Sequence, residues 1–285
     1  MTVSGAPLLC QAVSTSASAG PKISVITIVR NGRQFIEQTI KSVLGQSYGN
    51  MEYIVIDGVS TDGTVDIIKS YESEITKWVS EKDEGIADAF NKGLSYATGD
   101  YVLFLNSDDA LANFDVLAAV AQQIIENKFP ELIYGDYDIL NRESGEVMYR
   151  GKVHFSPREI QYGQVLPHPC LFTRRSYFDK YGVFDTQYRI AMDYEWLLRG
   201  ILKERVVHFP RLITNIRGGG ISTLDQKRVI DEIILALKKN GYFSSKWSEV
   251  KVRGYFFVRS FSRKVLAEIG LYKLFLNLRN RLKNG

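Results

Sequence analysis

After Pro21 the chain alternates short apolar runs with stretches of helical spacing, and no other feature limits the fold as much. Ile23 to Val29 is a near-continuous β-branched run, the mark of a buried strand. Phe35, Ile36, Ile40, Val43 and Leu44 then recur at helical spacing. Tyr53-Ile54-Val55-Ile56 is a second strand ending at Asp57, and Thr61 or Asp62 can cap the helix on which Val65, Ile68 and Tyr71 share a face. Trp78-Val79 marks a third, short strand. Ile86, Ala89, Phe90, Gly93, Leu94 and Ala97 follow the i, i+3, i+4, i+7 rule. Tyr101 to Leu105 is the next strand, a helix runs around Val116 to Ile125, and Leu132-Ile133-Tyr134 is a further strand. Four strand–helix units in succession imply an α/β fold whose sheet is parallel and joined by crossover helices.

Beyond residue 136 the alternation breaks. Asn141 to Glu146 reads as a hairpin turn between two short strands. Pro157, Gly163, Pro167 and Pro169 punctuate an irregular section, with helices expected over Ser176–Tyr181 and Asp193–Leu202. Gly218-Gly219-Gly220 is the most flexible point. The two cysteines, Cys10 and Cys170, allow neither a disulfide framework nor a zinc site, which favours a reducing compartment. Residues 1–20 carry no Lys or Arg and only a short apolar core, so they read as disordered rather than as a secretory signal. No stretch has the ~18 uninterrupted apolar residues of a spanning helix. From Lys251 onward the local charge is +8, against +4 for the whole chain. A cationic tail on a slightly acidic body suits an anionic partner such as a membrane surface. No recognition motif supports nucleic acid as that partner.

Polar residues gather where the strands end: Asn31, Asp57, the loop Ser60-Thr61-Asp62-Gly63-Thr64, Asp83, and Asn106-Ser107-Asp108-Asp109. Parallel strands bring these ends to one edge, where open α/β sheets bind ligands. Adjacent carboxylates at one point are costly unless a cation or a ligand's hydroxyls share the site. Two hard oxygen ligands suit Mg²⁺ or Mn²⁺, which keep waters and add substrate phosphates. The other reading is that Asp108 or Asp109 caps the helix begun by Phe114-Asp115-Val116. A dinucleotide site would need G-x-G-x-x-G after the first strand. Val29-Arg30-Asn31-Gly32-Arg33 stands there instead, and a Walker loop is absent too.

Four segments in order then carry a family resemblance. Ser24 to Gly32 resembles the opening strand of the family 2 glycosyltransferases, and Ile56-Asp57-Gly58-Val59-Ser60-Thr61-Asp62-Gly63-Thr64 resembles their second signature. Glu84-Gly85-Ile86-x-Asp88-Ala89-x-Asn91-Lys92-Gly93 resembles the third. Ala97-Thr98-Gly99-Asp100 running into Asn106-Ser107-Asp108-Asp109 resembles the D-x-D region. The likeness covers roughly residues 21–225 and is nearest to bacterial transferases of exopolysaccharide, capsule or O-antigen assembly. It implies a GT-A fold, a mostly parallel central sheet flanked by helices, a nucleotide-diphosphate sugar donor, Mg²⁺ or Mn²⁺, and inversion at the anomeric carbon. It divides the chain into a nucleotide-sugar half (about 21–136), an acceptor half (about 137–225) and a basic amphipathic helical region (226–285). By the same likeness Val29, Asn31, Asp57, Asp88, Asn91 and Asp108 bind the donor, and Asp109 with Asp108 holds the metal. Two departures, Gly58 in place of a second acid and Asn106 in place of Asp, bear on the identity of the nucleotide.

Asp193 in Ala191-Met192-Asp193-Tyr194-Glu195 aligns with the family's general base. The chemistry asks for a carboxylate beside the acceptor hydroxyl; without the family, Asp193 reads as a helix N-terminal charge. Glu195 is the alternative base or an acceptor-orienting group. His168, between two prolines, holds the matching acceptor-loop position or is a hydrogen-bonded loop residue. Arg217, before the glycines, with Ser222 after them, could close over the diphosphate or sit in an exposed turn. In the tail Phe257, Phe261, Val265, Ile269, Tyr272 and Leu276 recur at helical spacing amid Arg259, Arg263, Lys264, Lys273, Arg279 and Arg281. Such a helix can lie in an anionic interface or pack on the domain. The expected protein is a cytoplasmic transferase, peripheral on the inner face of the plasma membrane, acting on a lipid-linked saccharide. Its rivals are a sugar nucleotidyltransferase, which would want a Gly-rich basic loop where only Arg30 and Arg33 stand, and a non-catalytic nucleotide-sugar binding module.

Overall fold

The structure, a computed structural model, describes residues 20–152, 155–163, 166–220, 225–243 and 245–268. Cys10, Ser222, Ile269, Tyr272, Lys273, Leu276, Arg279 and Arg281 lie outside these residues. So do the side chains of Arg259, Phe261, Arg263, Lys264 and Val265, whose backbone is helical.

The elements run β1 (Ile23–Val29), α1 (Ile36–Leu44), β2 (Met51–Asp57), α2 (Thr64–Ser70), β3 (Lys77–Ser80), α3 (Ile86–Tyr96), β4 (Tyr101–Asn106), β5 (Ala110–Leu111), α4 (Val116–Glu126), β6 (Leu132–Leu140) and β7 (Val147–Gly151). There follow β8 (Leu171–Arg174), α5 (Arg175–Tyr181), α6 (Met192–Leu198), β9 (Val206–Arg217), α7 (Gln226–Lys239) and α8 (Lys246–Glu268). One sheet takes the strands in the order β3-β2-β1-β4-β8-β6-β9-β5, with β7 paired to β6. The first four are parallel, as the strand–helix alternation requires. Beyond β4 the sheet is mixed: β8 runs antiparallel to both β4 and β6, while β9 is parallel to β6.

Both faces of this sheet are covered, which explains why β1, β2 and β4 are apolar at successive positions and not at alternate ones. Val25, Tyr53 and Leu103 join Ile36, Ile40, Ile68 and Val116 of α1, α2 and α4 on one face. Ile26, Ile54 and Phe104 join Phe90, Phe178, Trp196 and Leu237 of α3, α5, α6 and α7 on the other.

Strand β9 is the element that the sequence conceals. Pro210 lies inside it, which argues against a central strand, and its register with β6 shifts at Gly135 and Asp136. A β carbon on Gly135 would stand 2.2 Å from Ile213, so only glycine lets the two strands close there.

The C-terminal helices are partly core. Ile233, Ile234, Ala236 and Leu237 of α7 and Val252 and Phe256 of α8 are buried in the same cluster as Phe90 and Trp196. The Tyr255 ring packs at a tilt against Tyr162, with ring centroids 4.8 Å apart. No described helix is long and apolar enough to cross a membrane.

Candidate active site

Register sets the edge on which the site is built. Val29 pairs with Asp57, Ile28 with Asn106, and Asp57 with Ser80, so the ends of β1, β2, β3 and β4 stand at one height. Asp57 is fully buried. Its Oδ2 accepts hydrogen bonds from the Ser60 N–H (3.0 Å) and the Ser80 hydroxyl (2.6 Å), while its buried Oδ1 has no partner. Glu52, at the other end of the strands, shows what a purely structural carboxylate looks like here. It is paired with Lys22 at 2.6 Å and accepts from Ser24, Thr98 and Gly99, and these bonds outweigh desolvation to hold its pKa near 2. An unsatisfied buried carboxylate oxygen costs at least ~1–3 kcal/mol, so Asp57 Oδ1 is an acceptor waiting for a donor.

The loops around Asp57 hold one another. Asn31 adopts a left-handed backbone (φ 54°), its N–H donates to the Ser60 hydroxyl at 2.7 Å, and its Oδ1 accepts from the Thr61 N–H at 2.9 Å. The Val29 carbonyl accepts from the Gly58 N–H at 2.8 Å. A β carbon on Gly58 would lie 2.2 Å from Asp83 Oδ2. The room of the acid missing at position 58 is thus taken by the Asp83 carboxylate, brought in from the β3–α3 loop.

The two carboxylates after β4 part company. Asp109 is 1% exposed, and its oxygens accept from the Asn106 amide (2.8 Å) and the Arg217 N–H (3.0 Å). Burial, then the neighbouring charge of Asp108, raises its pKa to about 7. It ties β4 to β9, and each of its oxygens already accepts one hydrogen bond. Asp108 is a quarter exposed and pairs with the Arg142 guanidinium at 2.7 Å. Arg142 and Arg217 both lie against the Phe35 ring, at 5.0 and 4.2 Å from its centroid, and Arg217 also donates to Gln38 at 2.6 Å.

Among the described residues no three His, Cys, Asp or Glu side chains cluster to cage a metal. Of the two carboxylates after β4, Asp108 is the one that reaches the surface. That fits an ion held mostly by phosphate oxygens and water, as Mg²⁺ is when one or two carboxylates anchor it, and does not fit a preformed cage.

On α3, Asp88 accepts from the Glu84 N–H at 3.0 Å and pairs with Lys92 at 3.3 Å. Asn91 both donates to the Phe184 carbonyl (2.8 Å) and accepts its N–H (3.0 Å), which fastens α3 to the segment that leads into α6. A cleft of about 220 Å³ lies between the start of α3 (Glu84, Gly85, Asp88), residues Arg189 and Ile190, and Arg228 at the start of α7.

Asp193 is the second residue of α6 and half-buried. Desolvation raises its pKa to about 6, against the opposing hydrogen bond from the Tyr194 N–H. A carboxylate titrating nearer neutrality is a stronger base than a solvated one and is still ionised at pH 7. Glu195, by contrast, is fully buried and committed: Arg199 binds it in a short bidentate pair, and Lys239 (3.1 Å) and Asn240 (3.3 Å) complete its shell. His168 packs edge-on against Phe90 and Phe184 and tilted against Phe104, with ring centroids 5.0 to 5.6 Å away. Burial lowers its pKa to about 4, and its buried Nε2 has no partner.

The structure therefore gathers Val29, Asn31, Asp57 and Asp108 at one edge, with Arg217 beside them. Asp88 lines the cleft, Asp193 follows three residues after the cleft residue Ile190, and Asn91, Asp109, Glu195 and His168 are embedded in the framework. Ser80 and Arg142, which bind Asp57 and Asp108, were not legible. Each comes from an element far along the chain from the group that it serves, and no motif marks it.

A central sheet whose first four strands are parallel, covered by helices on both faces and carrying carboxylates at its carboxyl edge, is a GT-A type of glycosyltransferase fold. The family model described as "Glycosyl transferase family 2" matches residues 24–182, and the chain belongs to that family. An uncharacterized glycosyltransferase of Mycobacterium tuberculosis is 37% identical over 187 residues, 65% of this chain and 71% of that one. Among solved structures, S. aureus TarS (1–349) in complex with UDP-GlcNAc superposes with a TM-score of 0.62 at 20% identity, covering 85% of this chain and 74% of that one. The Pyrobaculum calidifontis mannosyltransferase in complex with GDP-Man and Mn²⁺ gives 0.60 at 16% identity, covering 92% and 85%.

Proposed function

We propose that this glycosyltransferase is metal-dependent and inverting, and that it moves one sugar from a nucleotide-diphosphate donor to a hydroxyl of a growing, lipid-linked surface glycan. The observation that carries the donor reading is the orphan Oδ1 of Asp57, a buried acceptor at the sheet edge that a nucleoside N–H or ribose hydroxyl would satisfy. The neighbours solved with UDP-GlcNAc and with GDP-Man and Mn²⁺ support that class of donor. Asp108 would anchor Mg²⁺ or Mn²⁺ together with diphosphate oxygens, and the ion would neutralise charge on the departing group. Arg217 and Arg142 add fixed positive charge at the same place. Asp193 takes the proton of the acceptor hydroxyl as its oxygen attacks the anomeric carbon. The bond from that carbon to the diphosphate oxygen breaks on the opposite face, and the nucleoside diphosphate leaves.

The lipid-linked acceptor is supported by α8. Opposite its buried residues Val252 and Phe256 it exposes Trp247 (76%), Val250 (56%) and Val258 (61%), with Lys251 and Arg253 alongside. Apolar side chains framed by cations suit the inner, anionic face of a plasma membrane. Cosedimentation with vesicles containing phosphatidylserine should fall on Trp247→Ala and on raising salt; equal binding by both proteins would contradict this docking.

The donor test is isothermal titration with UDP and GDP plus Mn²⁺. Asp57→Ala is expected to weaken the preferred nucleotide by roughly 10–100-fold, the loss of a hydrogen bond to a charged group. Unchanged affinity in a folded variant would refute the role of Asp57.

A further inference from the structure

We infer that Glu232 of α7 is a positioning residue for the base Asp193, acting on the backbone that launches α6; this rests on the reading of Asp193 given above. Its carboxylate receives three consecutive N–H groups: Arg189 to Oε1 at 3.1 Å, and Ile190 and Ala191 to Oε2 at 2.9 and 2.8 Å. These residues directly precede Met192 and Asp193, and Ala191 is the N-cap of α6.

Helix α6 has seven residues and no side-chain N-cap of its own. Isolated helices so short are not stable, and their first N–H groups need partners. The Glu232 carboxylate meets that need at the N-cap Ala191 and holds the two N–H groups before it, close to the positive end of the helix dipole. It also fixes three successive peptide planes, so it sets where the second residue of the helix points.

The same two helices are joined further on. Lys239 binds Glu195 of α6 at 3.1 Å and Asp185 ahead of it at 2.7 Å, and Asn240 donates to Glu195 at 3.3 Å. Helix α7 and its C-cap Asn240 thus hold the segment 185–195 at Asp185, at residues 189–191 and at Glu195. The apolar residues Ile233, Ile234, Ala236 and Leu237 keep α7 in the core without Glu232. Its carboxylate is therefore separable from the fold in a way that those residues are not.

The placement of a base is sensitive: an error near 1 Å can cost about 100-fold in rate. Glu232→Gln keeps the shape but leaves one acceptor oxygen for three N–H groups and turns an NH₂ toward them. The expected result is a kcat lower by ~10–100-fold, with the KM for the nucleotide sugar and the Kd for the nucleotide within about twofold of the parent. Glu232→Asp should recover part of the loss. In an Asp193→Asn background, where no base remains to be placed, Glu232→Gln should change the residual rate by less than about threefold. Thermal melting of every variant checks that it is folded. The inference is overturned if Glu232→Gln leaves kcat unchanged, raises donor KM in step with the loss, or costs the same factor with and without Asp193. Full activity of Asp193→Asn itself would instead remove the reading of the base, and the inference with it.

Discussion

Acidifying the medium should silence the enzyme by protonating Asp193, and the profile can be worked from the structure. Desolvation sets that carboxyl near 6. A single base of this pKa is about half ionised at pH 6, about a tenth at pH 5 and about nine tenths at pH 7. With saturating donor and Mn²⁺, kcat measured by nucleoside diphosphate release should trace that limb between pH 4.5 and 8. Loss of stability from the groups raised by burial does not mimic it. Asp193 and Asp109 both have folded pKa values above the usual 3.8, near 6 and 7. The stability that they contribute is complete below 3.8 and is lost as pH rises through those values, which is opposite in sign to the gain in rate. Glu52, held near 2, contributes stability that is present above 4.5 and is lost only as pH falls through 2. Asp193→Asn should lower kcat by ~10²–10⁴-fold, the usual worth of a positioned base, and flatten what rate remains across the range. A limb centred near 4 would show a solvated carboxylate and refute the desolvation reasoning. A limb that survives in Asp193→Asn would show that another group carries it.

Two further substitutions probe the framework. Phe256→Ala removes a ring that is 7% exposed and packed toward Gly163 and Ile233, so unfolding should become easier by about 3–5 kcal/mol; a melting temperature unchanged within a degree would show that α8 does not brace the domain. Gly58→Ala places a methyl 2.2 Å from Asp83 Oδ2 and should push that carboxylate off the edge, weakening nucleotide binding with little change in kcat. Equal affinity would separate Asp83 from the nucleotide.

Much of the first half of the sheet is legible in the sequence, because strands buried on both faces leave continuous β-branched runs and each run ends at a polar residue. The place of Asp57 and Asp108 at the sheet edge could be read from the sequence, since the end of a parallel strand is also the end of the sheet. What could not be read was how shared work is divided between neighbours. Asp109 and Asp108 look alike in sequence, yet one points inward to Asn106 and the Arg217 backbone while the other faces Arg142. The same holds for Asp193 and Glu195, two residues apart on one short helix, of which only Glu195 is saturated by Arg199 and Lys239. Strand β9 was hidden by Pro210, whose missing N–H is tolerated at an exposed, shifted stretch of the ladder. The charged tail read as one unit, but helix α8 is apolar on opposite sides, and composition does not record which side the domain covers.

The most direct measurement is the first sugar product formed when water serves as acceptor. The chain, Mn²⁺ and an α-linked nucleotide sugar identified by binding are followed by proton NMR before mutarotation sets in. Direct displacement, with Asp193 drawing the proton from water on the face opposite the diphosphate, yields the β-anomer first together with free nucleoside diphosphate. The α-anomer first would mean retention, and sugar 1-phosphate would mean attack at phosphorus by a nucleotidyltransferase. Either product would contradict the account.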